Sequence, residues 1–164
     1  MNMPRKKVLS LFGTRPEVIK FAPILRHLER EGSQIQAINV LSGQHTDLLY
    51  PLNGFFKLRI DHDLHAMRSN QSPAAVGRRI VQRLLPVLDQ ERPDIILVQG
   101  DTSTALAGSL AGTMRRIPVG HVEALCRTLH VCAIGRCGPS VARSVCAAKS
   151  GAFCVLIGAK GLRN

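Results

Sequence analysis

Tryptophan is absent from this chain of 164 residues, tyrosine occurs once, and aromatic side chains make up 4% of it. No basic stripe interleaved with aromatics exists, so a base-stacking platform for nucleic acid is missing. No apolar run approaches the roughly 18 residues of a membrane-crossing helix. The opening MNMPRKKVLSLFGTRPE is basic, then apolar, as a signal peptide is. Its apolar stretch Val8–Phe12 is too short for that role, and Arg15 and Glu17 follow at once. A buried first strand in a cytoplasmic protein is expected instead. The phosphate loop G-x-x-x-x-G-K-[ST], the dinucleotide fingerprint G-x-G-x-x-G and the hydrolase elbow G-x-S-x-G are all missing.

Two further absences are regional. The first 125 residues hold no cysteine, yet five follow, at 126, 132, 137, 146 and 154. Residues 124–164 hold no acid and six Lys+Arg, a charge of +6, whereas residues 1–123 hold 16 Lys+Arg and all 11 Asp+Glu, giving +5. More than half of the net charge of +11 therefore sits in the last quarter. The basic balance is not a property of the folded part, and nucleic acid is not the expected partner. Cys126, Cys132 and Cys137 are separated by five and four intervening residues, which fits no zinc pattern well. Residues 1–124 read as one domain, and residues 125–164 as a Cys/Arg-rich tail of different composition, frameshifted or disordered.

What is present alternates. KKVLSLFG (6–13), IQAINVLSG (35–43), RPDIILVQGD (92–101) and IPVGHVEA (117–124) read as buried strands. Between them lie helical patterns. The first follows Pro16 with Val18, Ile19, Ala22, Leu25 and Leu28 on its apolar side, and Pro23 implies a kink or early break. The second spans 72–91 with Ser72 as N-cap, and the third spans 102–116 in small residues that allow close packing on a sheet. LLYPLNGFF reads as a short helix or turn, and LRIDHDLHAM as a weaker extended segment. Alternation of this kind predicts an α/β fold, a Rossmann-like doubly wound parallel sheet.

Such sheets bind ligands beyond the carboxyl ends of their strands. Arg15, Gln44, His45, Asp101, Thr102 and Glu123 all fall there. Thr14, Arg15 and Lys20 surround a helix start, which favours anions, though an Arg and a Lys there are also an ordinary surface pair. Asp101 is either the N-cap of the next helix or a carboxylate for proton transfer, and the two are compatible. His121 and Glu123 share one face of their strand. Asp101 and Glu123 could form a carboxylate pair with separated pKa values. His121, between apolar residues, reads as a satisfied core histidine, and His45, in a polar turn, as a ligand contact.

FGTRPEVIKFAPIL, SGQHTDLL, DHDLHAM with a following Gln, RPDIILVQGDTSTALAGSLAG and RIPVGHVEA resemble, in order and spacing, the N-terminal half of UDP-N-acetylglucosamine 2-epimerases. The resemblance covers roughly residues 7–124, and GQH is similar to the non-hydrolysing bacterial branch. It implies the N-terminal domain of a GT-B-like two-domain fold, with the active site between domains. It implies interconversion of UDP-GlcNAc and UDP-ManNAc for surface polysaccharide, by elimination and re-addition of UDP. Neither metal nor redox cofactor is implied, the substrate is a UDP-sugar, and the intact family is homodimeric. Matched residue by residue, Asp101 and Glu123 would be the acid/base pair. Arg15 and Lys20 would meet the nucleotide-sugar, with Gln44 and His45 near the cleft and a regulatory pocket. Two polar positions of that pocket are replaced here, at Asp47 and Asn70. After Ala124 the family's pattern stops apart from LCRT, so a frameshift near codon 124 and a truncated, inactive chain are expected. The alternatives are half of a split GT-B-like glycosyltransferase working with a partner chain and, as the weakest fit, a basic nucleic-acid or metal-binding module.

Overall fold

A computed structural model describes residues 5–32, 34–43, 54–124 and 153–158, and for residues 123–124 and 153–158 the backbone alone. In chain order the elements are β1 (Lys6–Phe12), α1 (Arg15–Arg30), β2 (Ile35–Leu41), β3 (His62–Asp63), α2 (Pro73–Glu91), β4 (Ile95–Gln99), α3 (Ser103–Met114), β5 (Val119–Ala124) and β6 (Phe153–Gly158). One helical turn at 54–56 precedes β3. The sheet runs β3-β2-β1-β4-β5-β6. Its first five strands are mutually parallel, and β6 pairs antiparallel with β5, from Ala124↔Phe153 to Val119↔Gly158.

The order β3-β2-β1-β4-β5 is the doubly wound arrangement expected from the alternation. Both faces are covered, so its central strands are buried at consecutive positions rather than at every second residue: Ile95–Gln99 is buried at all five positions. The pleat then divides each strand between two cores. Leu9, Leu11, Ile96 and Val98 pack with Ile80 and Leu84 of α2 and with the alanines of α3. Val8, Phe12, Ile95 and Leu97 pack with Val18, Phe21 and Leu25 of α1. Burying a side chain such as Phe21, which is 0% exposed, contributes about 2–3 kcal/mol. The small residues of α3 do what their size suggests. A Cβ on Gly108 would come within 2.7 Å of Leu11 and Val98, so the helix rests almost on the sheet.

Three expectations are corrected. Helix α1 runs unbroken through Pro23. Pro23 and Ile19 are both exposed, so the carbonyl deprived of its partner lies on the solvent side. Ile19 is 49% exposed and Phe21 takes its place in the core, because about 100° per residue carries position 19 out of the arc set by 18, 22, 25 and 28. The third correction is the cap of α3, which is Thr102 and not Asp101. Within the tail, the apolar run FCVLIG (Phe153–Gly158) forms β6 on the β5 edge.

Candidate functional site

The chain leaves β1 toward β2 and leaves β4 toward β5, so the winding reverses between two adjacent strands. The turns that follow β1 and β4, residues 13–14 and 100–102, therefore stand side by side at the crevice where such sheets bind ligands. Every group described next belongs to that crevice.

The first turn begins at Gly13. A Cβ there would lie 1.7 Å from Ser42 Oγ and 2.9 Å from Thr104 Oγ1, two hydroxyls bonded to each other at 2.9 Å. Thr14 is the N-cap of α1, in extended conformation, and Arg15 opens the helix with its side chain in solvent. Glu17, three residues past the cap, is 2% exposed. Its Oε2 accepts from the amides of Gly13 and Thr14 at 2.6 and 2.8 Å. Its Oε1 accepts from the hydroxyl of Thr102 at 2.5 Å, on the neighbouring turn. Thr102 Oγ1 in turn accepts from Ala105 N at 3.1 Å, capping α3.

Lys20, one turn further along α1, makes a second tie. With the Gln99 amide oriented to suit its surroundings, the Gln99 carbonyl oxygen accepts from Lys20 Nζ at 3.0 Å and from Gly100 N at 3.1 Å. Gly100 has φ +75°, and its carbonyl oxygen lies 2.8 Å from His121 Nε2. A carbonyl only accepts, so Nε2 is the donor of this bond. Asp101 stands between these held neighbours with its side chain exposed, and no described residue engages its carboxylate. It opens onto a groove of about 470 Å³ lined also by Thr102, Ser103, Leu106 and His121.

Arg15, Lys20 and Asp101 thus meet on one rim, although Lys20 is turned toward Gln99. The backbone of Glu123 reaches the same level, since Val122 is in register with Gln99. Gln44, His45 and Asp47 lie outside the described residues. Asn70 follows β3 with φ +52°, a conformation asparagine tolerates. His121 is half-buried and bonded as a satisfied histidine, yet it borders the groove. Glu17 and Gln99 were not expected. Gln99 carries no local signal, while Glu17 is the fourth residue of T-R-P-E, the spacing of a capping box.

Fold and site together define one Rossmann-like α/β unit with a polar crevice at its switch point. The family of UDP-N-acetylglucosamine 2-epimerases matches residues 26–132, and the chain belongs to that family. It is 46% identical to a UDP-N-acetylglucosamine 2-epimerase of Yersinia pestis over 122 residues, 74% of this chain and 32% of that protein. The corresponding enzyme of Salmonella typhimurium is 43% identical over the same shares. Among solved structures, the Neisseria meningitidis UDP-GlcNAc 2-epimerase bound to UDP-GlcNAc superposes with a TM-score of 0.69 at 41% identity, over 76% of this chain and 33% of that one. The Methanocaldococcus jannaschii enzyme in complex with UDP-GlcNAc and UDP gives 0.67 at 31%, over 76% and 34%. Acinetobacter baumannii MurG, at 19% identity and TM-score 0.55, shares the fold alone. This chain spans about a third of the length of the curated relatives it matches. Among the described residues no helix is long and apolar enough to cross a membrane.

Proposed function

We propose that residues 1–124 supply one half of a site that interconverts UDP-GlcNAc and UDP-ManNAc, in the cytoplasm. The supporting observation is that Arg15 and Asp101, both exposed, follow the carboxyl ends of the adjacent strands β1 and β4, which offers a cation for the nucleotide-sugar's phosphates and a free-standing carboxylate on one rim. Asp101 and Glu123 would exchange the proton at sugar C2. Removing it while the C1–O bond breaks expels UDP and leaves a C1=C2 double bond. UDP then adds back at C1, and a proton is delivered to C2 from the opposite face. Arg15 and Lys20 would hold the pyrophosphate through both steps, Lys20 by exchanging Gln99 for a phosphate oxygen.

The relatives are three times as long, and this rim alone contacts only part of a nucleotide-sugar. Much of the differential stabilisation of the transition state is therefore missing, and the chain by itself is expected to bind weakly and not turn over. Titration of the ¹⁵N-labelled chain with UDP-GlcNAc should move amides of residues 13–20 and 100–102, and Arg15→Ala should abolish those shifts. Shifts confined to the opposite end of the sheet, or none, would overturn the reading. In D₂O, no deuterium should enter C2 of the sugar.

A further inference from the structure

Resting on the reading of this rim as the site, we infer that Glu17 is a positioning residue that holds the two switch-point turns together and so sets where Asp101 stands. The argument begins with a count of donors. Three hydrogen-bond donors from two different turns converge on one side chain: Gly13 N–H, Thr14 N–H and Thr102 O–H. An ionised carboxylate is acceptor on both oxygens and satisfies all three. A glutamine cannot, because its NH₂ must face one donor set or the other. An aspartate is one methylene too short to span from α1 to the β4–α3 turn.

Glu17 is also buried, so no water can stand in cheaply for a lost partner. An ordinary capping box would need only the contacts within residues 14–17. The bond to Thr102 exceeds that need, since it joins residues 85 apart and fixes the cap of a second helix. Asp101 precedes Thr102 directly. On its other side Gly100 is held by His121 and by the Gln99 that Lys20 engages. The residues flanking Asp101 are thereby fixed while its own carboxylate is left in the groove, as a proton-transfer group requires.

The test is amide hydrogen exchange on the full chain, read residue by residue by NMR, without any sugar. Glu17→Gln should speed exchange at Ala105 N–H at least tenfold, although Ala105 lies on a different helix. Thr102→Val should do the same while leaving Gly13 and Thr14 protected, and Thr102→Ser should restore Ala105 to the parent rate. The Asp101 amide resonance should shift alike in Glu17→Gln and Thr102→Val, and the double variant should add nothing further. If Glu17→Gln loosens Gly13 and Thr14 but leaves Ala105 and the Asp101 resonance unmoved, Glu17 merely caps α1 and the inference fails. Should Glu17→Gln not fold, the threonine pair decides: a Thr102→Val spectrum with Asp101 unmoved also overturns it. Failure here leaves the substrate reading intact, since binding of UDP-GlcNAc to Arg15 is measured separately.

Discussion

The two turns of the crevice both open on glycine, and for opposite reasons. Gly13 has no room for a side chain, because a Cβ would strike Ser42 and Thr104. Gly100 has open space around it, with nothing within 4 Å of a built Cβ, but its backbone sits at φ +75°. One glycine answers to packing and the other to backbone conformation. The difference shows that a rim can need the same residue twice while tolerating entirely different repairs.

That contrast breaks most readily at Gly13. Gly13→Ala should destabilise the chain by about 3 kcal/mol in urea unfolding, the upper range for overpacking. Adding Ser42→Gly should recover most of it. If the second change recovers nothing, packing is not the cause. Gly100→Ala should cost less, about 1 kcal/mol, with Gly100→Asn milder still, and no truncation of a neighbour should help. A recovery on trimming His121 or Thr102 would erase the distinction between the turns.

The smallest effect provides a reference outside both turns. Arg115, the C-cap of α3, forms a paired contact with Asp89 near the end of α2, at 2.6 and 2.8 Å. Hydrogen bonding to the Arg115 guanidinium holds the Asp89 carboxyl below its usual 3.8. A depressed carboxyl contributes stability above its ordinary value and loses it as pH falls through the lower, folded value. The pair is solvent-exposed, so screening keeps the contribution small. Asp89→Asn should lower Tm slightly at pH 7, and the difference should shrink below pH 3.8. A gap that widens in acid would reverse the assigned sign.

Much of this architecture is legible in the sequence, for a physical reason. A strand buried on both faces must be apolar throughout, so Ile95–Val98 announces itself, and small residues from Ser103 to Met114 announce a helix pressed against a sheet. Helical phase is read less surely. Ile19 looks like a core residue by type, and only the angle it makes with Val18 and Ala22 excludes it. The positions of Arg15, Lys20 and Asp101 are legible because the residues that follow a buried parallel strand fall at its carboxyl end. Glu17 escapes, since a buried carboxylate is recognised by its three donors, and one of them arrives from the far half of the chain. The cap, one of the two roles open to Asp101, falls on Thr102 instead, because both types cap well and only the backbone decides between them.

The bond between Glu17 and Thr102 also closes a loop of 85 residues. Closing so long a loop costs chain entropy that local contacts in β1, α1 and β2 do not repay. The β1–β2 half can form from neighbouring sequence, whereas the crevice comes into existence only when β4 docks on β1. The site is therefore a late product of folding. A ligand that bridges both turns acts on that docking, slowing its reversal, and a growing polypeptide lacks the crevice until residue 102 has emerged.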